Sequence, residues 1–488
     1  IKAAELGCHV TVVSPMPPER AQSVMAMGGI NAALDTKGEN DSPHEHYLDT
    51  MRGGCWLNDP AAVRNLTDNA PATVKWLSEI GVNFDRDKNK QIELRYFGGQ
   101  KKMRTAYSGA HTGKQIMTAL TAQCRKYESE GRITRKTGGY FLSMVFDSRH
   151  KCVGAVIINK QDSGMEAVPA DALIFASGAP NQVFGKTSGA VSNGGSATGL
   201  AMLQGIECAN LEMIQYHPTT IETTGKRMLI TEAARGAGGR LFTIRDGKRW
   251  YFMEEWYPER GALMPRDVVS RSIYKVCSEM GLKLGGKNQV YLDITHLPKR
   301  VINDTLDEVV ETCTKFIDLD PRVSPIPVYP GVHYFMGGIR TDAGHRTNLK
   351  HVYAAGECSC QYHGANRLGG NSVLGAVYGG LVAAETSCGE PETPDGRERE
   401  EACRAALSAA SRACGEWKTR GVEAPCTSLE IKEEMAGIMK ECMGIYRDGT
   451  ALADGLGRMK ALYSRCGRIS PAESYVDYIT TRATVLAA

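Results

Sequence analysis

Residues 347–380 read Thr347-Asn-Leu-Lys-His-Val-Tyr-Ala-Ala-Gly-Glu357, Cys-Ser-Cys-Gln-Tyr, then His363-Gly-Ala-Asn-Arg-Leu-Gly-Gly-Asn-Ser-Val-Leu-Gly-Ala-Val-Tyr-Gly-Gly380. The first part is a turn and an apolar strand ending in Gly-Glu. That ending places a carboxylate at the carboxyl end of a parallel strand, where open α/β sheets bind ligands. Glu357 there can accept hydrogen bonds from sugar-type hydroxyls. The second part is a glycine-paired loop entering a helix, with Ser372 as the predicted N-cap. A helix N-terminus offers free N–H groups and partial positive charge, which suits an anionic group. Arg367, just upstream, can clamp a carboxylate bidentately.

Outward from this stretch, residues 1–180 alternate helix and strand signals. Helices are predicted at Ala61–Ile80 and Gly113–Glu130, and strands at Val153–Asn159 and Ala172–Ala176. The alternation predicts an α/β fold. The chain opens with the last turns of a helix ending at Gly7, followed by a strand, Cys8–Ser14. This is the second half of a βαβ unit, so the strand and Gly-rich turn of the first half are expected on a longer polypeptide. Residues 210–330 change character, with charged aromatic stretches, a helix predicted at Arg266–Met280 and a Pro-rich close at Pro321–Pro330. They read as an inserted domain. Residues from about 395 to 488 carry Ala, Glu, Arg and Met at helical spacing and read as a helical bundle.

Composition narrows the function classes. Of 488 residues, 42% are hydrophobic and 23% charged, and the net charge is +3. That balance points to neither nucleic acid nor an acidic partner. The apolar runs, such as Ala172–Ala176, fall far short of the ~20 residues a spanning helix needs. The 15 cysteines are scattered with no Cys-x-x-Cys pair, which fits reduced thiols rather than a disulfide framework or cluster ligands. No metal site is expected, and any iron–sulfur relay must sit on another chain.

Other motifs gain meaning together. Gln215-Tyr-His-Pro-Thr219 fixes the backbone after His217 through Pro218. Thr231-Glu232-Ala-Ala-Arg235-Gly places Glu232 and Arg235 three apart on one helical face. Pro265-Arg266-Asp-Val-Val-Ser-Arg271 reads as a helix start with Arg266 at its mouth. Val332-His333-Tyr-Phe-Met-Gly-Gly338 ends in glycines that would let backbone approach a ligand.

With Phe97-Gly-Gly-Gln100 and Arg104-Thr, these six motifs in this order resemble the succinate dehydrogenase/fumarate reductase flavoprotein family, to which L-aspartate oxidase is also related. The resemblance implies a Rossmann-like FAD-binding domain with an inserted α+β capping domain and a C-terminal helical domain. The expected boundaries are 1–211 and 334–392 for the two parts of the FAD domain, 212–333 for the cap and 393–488 for the helices. It implies hydride transfer between flavin N5 and a small dicarboxylate. His217, Thr231, His333, Arg367 and Gly99 would bind substrate, Arg266 would deliver the proton, and Glu232 and Arg235 would relay protons to it. FAD would lie against Ser14, Ser23, Gly28, Gly29, Ala176, Gly178, Glu357, Asn371, Ser372 and Leu374. Guanidinium groups hold their protons to beyond about pH 12. Arg266 therefore serves as an acid only if the substrate carbanion takes the proton as it forms and the relay restores it.

Three departures stand out. Where many members carry the His that bonds FAD covalently, in an Arg-Ser-His-Thr run, this chain has Arg20-Ala-Gln22-Ser, so the FAD is expected to be non-covalent. Ser196 stands where members often have an acid. The opening dinucleotide turn is absent. The alternatives are L-aspartate oxidase, another enoate reductase, or a non-catalytic flavin subunit. Iron–sulfur and membrane-anchor subunits are the expected partners, with no nucleic acid. The expected location is the cytoplasmic face of the cell membrane, held there by those partners.

Overall fold

The computed structural model describes residues 1–390 and 396–488. The expected boundary between 392 and 393 lies outside the described residues. A helix at Lys2–Glu5 ends before Gly7 (φ 90°), and the strand Val10–Ser14 follows. That strand pairs in parallel with Ile133–Thr137, and Leu173–Phe175 pairs in parallel with Val352–Ala354. The helix Pro60–Glu79 starts one residue ahead of the prediction. Asp59 accepts from the Ala61 and Ala62 N–H groups, and Pro60 occupies the first turn, where its missing N–H costs nothing. Its apolar face, including Leu66, Val74 and Leu77, is buried, and the helix packs on the helices Pro43–Gly53 and Asn371–Gly389. The second predicted helix spans Thr112–Ser129.

Residues 214–335 hold a six-stranded sheet in the order 227–229, 214–222, 326–335, 290–293, 240–245, 248–250. It has its own core around Val269, Ile273, Leu292 and Val328. The Pro-rich stretch is therefore not a closing loop: Ile326–Phe335 is a central strand. It pairs with Ile214–Glu222, but the register shifts between Gln215 and Tyr216 and again between His217 and Thr220. The second shift coincides with Pro218 and Pro330, which have no N–H to donate to a ladder. The predicted helix Arg266–Met280 is α-helical to Tyr274 and continues as a π-turn over Lys275–Glu279.

The chain enters and leaves this region side by side, through Cys208–Ala209 paired antiparallel with Gly338–Ile339. A Cβ on Gly337 would strike the Asn210 carbonyl, and one on Gly338 the Cys358 carbonyl. These glycines thus serve close backbone packing at the crossing, not a ligand. The C-terminal helices, Gly396–Thr419, Ser428–Cys442, Gly449–Arg465 and Tyr475–Ala487, are not a free-standing bundle. Trp417, Ile431 and Val476 share one core with Val153 and Val156 of the antiparallel sheet spanning residues 139–169.

A buried ion triad braces the loops beneath the long helix Asn371–Gly389. Arg104 is fully buried, donates Nε and Nη2 to Asp41 at 3.2 and 2.9 Å, and sits 3.1 Å from Asp49. Burial raises the Asp41 carboxyl above the usual range, against the pull of Arg104. Removing the cation would leave two buried carboxylates uncompensated. Arg104→Met is expected to cost about 3–5 kcal/mol, read as a lower urea midpoint. A loss under about 1 kcal/mol would contradict this role.

Candidate active site

Six of the predicted side chains converge where the inserted sheet meets the 363–374 segment. Glu232 and Arg235 lie on the short helix Glu232–Gly236, whose N-cap Thr231 accepts from the Ala233 N–H at 3.3 Å. Arg266 opens its own helix and donates Nε and Nη2 to Glu232 Oε2 at 3.0 and 2.8 Å. Arg235 Nη2 approaches the other oxygen, Oε1, at 3.1 Å but off the hydrogen-bond line, and its Nη1 donates to the Ala262 carbonyl at 2.6 Å. Glu232, Arg235, Arg266 and Arg367 are all at most 9% exposed.

Gln215 ties the two sides together, a role its sequence position did not suggest. Its Oε1 accepts from Arg266 Nη1 and from Arg367 Nη2, both at 3.1 Å. Its Nε2 donates to Asn366 Oδ1 and the Arg367 carbonyl at 2.7 and 2.8 Å. Arg367 also donates to Ser372 Oγ at 3.0 Å and lies over the Tyr334 ring. Ser372 is therefore not the N-cap. Gly370 takes that place with φ 86°, and no side chain caps the first turn.

His217 and His333 face each other edge to face, ring centroids 5.3 Å apart. In the strand register Gln215 lies opposite Tyr334 and Tyr216 opposite Val332, so His333 is the extra residue of a bulge, a device that re-aims a side chain. Burial and the nearby guanidiniums hold both imidazoles well below their usual pKa, hence neutral. His217 Nδ1 accepts from the Thr219 N–H at 3.3 Å, so the proton sits on Nε2, which is buried without a partner. His333 Nδ1 meets Ser188 Oγ at 2.8 Å, a contact sequence reasoning missed. In the Phe97–Gln100 loop, Gly98 rather than Gly99 lies against the carboxylate: a Cβ there would strike Glu232 Oε1.

Charge is unbalanced in this pocket. Three buried guanidiniums face one fully ionised carboxylate. Burial would raise Glu232, but Arg266 and Arg235 outweigh it and bring its pKa to about 2. Burial lowers Arg235, and lowers Arg367 to about 10. Glu357, pushed up to about 7 by burial, offsets only part of the excess. A buried site with surplus positive charge and neutral imidazoles suits a small dianion.

The residues assigned to the cofactor are spread over several segments. Glu357 accepts from the Phe335 N–H at 3.2 Å. Gly178 has φ 68° beside Ser177, whose hydroxyl is buried and unpartnered. Ala176 lies between Ser177 and the strand Leu173–Phe175. Asn371 Oδ1 accepts from Asn31 Nδ2 at 2.7 Å and pairs with His46 Nε2 at 2.9 Å, while its Nδ2 donates to Thr50 Oγ1. Gln100 donates to Asn31 Oδ1 and to the Gly369 carbonyl. This network, unnoticed in the sequence, pins the start of the helix that carries Ser372 and Leu374. Gly28 packs on Phe97 and Gly29 on the Ala106 carbonyl, each where a Cβ would clash. Ser14 ends the first strand, and Ser23 lies in the 3₁₀ turn Gln22–Met25. An uncapped helix start, an orphan hydroxyl and a buried carboxyl fit a flavin dinucleotide, whereas Gly28 and Gly29 serve packing within the protein.

A family described as "FAD binding domain" matches residues 1–373. The succinate dehydrogenase flavoprotein subunit of Bacillus subtilis is 44% identical over 383 residues, 78% of this chain. The fumarate reductase flavoprotein subunit of Mycobacterium tuberculosis is 33% identical over 481 residues, 95% of this chain and 80% of its own length. The chain belongs to the succinate dehydrogenase/fumarate reductase flavoprotein family. FAD is accordingly its cofactor. Among solved structures, the E. coli quinol fumarate reductase FrdA chain superposes with a TM-score of 0.87 at 26% identity, over all of this chain and 83% of that one. The fold of the family, with FAD-binding, capping and helical domains, is thus the fold of this chain. The match spans only 65% of the length of the B. subtilis protein, under two thirds.

The Glu232 site makes a pH signature. A carboxylate depressed from 4.5 to about 2 contributes stability that is present above 4.5 and lost as pH falls through 2. That difference corresponds to about 3 kcal/mol. The stability gap between wild type and Glu232→Gln, from denaturant titrations, should be widest above pH 5 and narrow toward pH 2. A gap independent of pH would contradict the assigned ionisation.

Proposed function

We propose that this protein interconverts fumarate and succinate. The charge surplus carries the reading: two carboxylates are what three guanidiniums with one fully ionised counter-carboxylate still lack. Arg367, His217 and His333 would hold the substrate carboxylates, with the Thr231 hydroxyl beside them. The neutral imidazoles would act as hydrogen-bond donors rather than as charges. FAD, held at Glu357, Asn371, Ser372 and Gly178, supplies hydride chemistry at its N5. Residues 212–333 act as the cap that closes over the 1–211 and 334–392 parts of the FAD domain and excludes water.

Arg266 delivers the proton to the substrate carbon as charge develops there. Glu232 accepts two hydrogen bonds from it and is the nearest base able to return a proton, with Arg235 on its far oxygen. Gln215 keeps Arg266 and Arg367 from drifting apart or turning away. The FAD is non-covalent because Gln22, not His, occupies the attachment position. Relatives named as flavoprotein subunits support partner subunits for this chain too, and iron–sulfur and membrane-anchor chains are the partners this reading calls for. Among the described residues, no helix is long and apolar enough to cross a membrane. Peripheral attachment at the cytoplasmic face through those partners follows from this reading.

Photoreduced holoprotein tests this. Fumarate should restore the oxidised flavin spectrum, and succinate, but not aspartate, should bleach it. Acid precipitation should leave the FAD in the supernatant. Bleaching by aspartate would move the protein to the aspartate oxidase branch, and flavin retained in the pellet would refute non-covalent attachment.

A further inference from the structure

Cys8 and Cys388 stand apart from the other thirteen cysteines. Their sulfurs lie 2.8 Å apart although 380 residues separate them. No other two cysteine sulfurs are hydrogen-bonded among the described residues. Both are half-buried, whereas most of the others are buried. Each sits on firm backbone. Cys8 N–H donates to the Ala3 carbonyl at 3.0 Å, just past the first helix, and Cys388 lies in the last turn of the helix Asn371–Gly389. An ion pair between Lys2 and Glu385 at 3.4 Å crosses the same seam. Neither sulfur has to travel to meet the other, the usual obstacle to bridging two cysteines.

We propose that Cys8 and Cys388 are a covalent modification site, closing to a reversible disulfide by exchange with a small aliphatic disulfide such as oxidised glutathione. One cysteine sulfur, as thiolate, attacks the small disulfide and expels one thiol. The second cysteine then attacks the mixed disulfide and expels the other. Two protein thiols lose two hydrogens in all, and the small disulfide leaves as two thiols. Burial, with the hydrogen bond to Cys8, pushes the Cys388 thiol up to about 11.

The bond would join the turn just ahead of the first strand to the far end of the helix whose opening turn carries Asn371 and Ser372. Tying residues so distant in sequence restricts the unfolded chain strongly, so the oxidised protein should resist unfolding more than the reduced one. The site is independent of the reaction proposed above.

The test uses the full-length holoprotein equilibrated across ratios of reduced to oxidised glutathione, then alkylated, digested and mapped by mass spectrometry. A peptide linking Cys8 to Cys388, lighter by two hydrogens than its parts, should rise with oxidised glutathione and vanish with dithiothreitol. The thermal midpoint should rise in parallel, and Cys8→Ser and Cys388→Ser should each abolish that rise. Separate alkylation of both thiols at every ratio would overturn the proposal, as would a stable glutathione adduct on Cys8 alone.

Discussion

A single buried carboxylate holds the site together. Glu232 receives two hydrogen bonds from Arg266 on one oxygen and faces Arg235 on the other. Without it, three guanidiniums would share a nearly dry pocket. Like charges about 4 Å apart repel by about 4 kcal/mol even at an effective dielectric of ~20. The carboxylate neutralises one of those charges and leaves the rest for a ligand. It also fixes how Arg266 is spent: Nε and Nη2 donate to Glu232 and Nη1 to Gln215, which leaves one N–H on each terminal nitrogen.

Backbone devices place these side chains, and they depend on glycine and proline. Two register breaks between neighbouring strands turn His217 and His333 toward each other. Gly98 removes a Cβ that would strike the Glu232 carboxylate, and Gly369 one that would press on Phe97. Gly370, left-handed at the helix start, brings Asn371 into a buried amide network while leaving the first turn uncapped. One segment, residues 366–372, thereby links the two groups of contacts, because Arg367 donates to Gln215 and Asn371 enters the amide network.

Much of this was legible in the sequence, and the reason is local chemistry. The Gly-Glu strand end, the glycine-paired helix start and the Thr-Glu-x-x-Arg run each show their geometry within a few residues. What could not be read rests on contacts far apart in the chain. Gln215 meets the Arg367 carbonyl across 152 residues, and Ser188 meets His333 across 145. Neither sits in a local pattern that marks it. The bulges were hidden because the Pro-rich stretch at 321–330 looks like a loop until its partner strand is known. The Gly337–Gly338 pair misled for the opposite reason, since close approach to backbone and close approach to a ligand demand the same residue.

The central claim is that Arg266, held by Glu232 and Gln215, delivers the proton. Its most direct measurement is the single-turnover reoxidation of reduced flavin by fumarate in Arg266→Gln, alongside fumarate affinity from the spectral shift of the oxidised enzyme. The account predicts reoxidation slowed by at least about 10³-fold, beyond the span expected of one general acid at its weakest, with fumarate still bound and the FAD retained. Reoxidation at the wild-type rate, with fumarate bound as before, would contradict it.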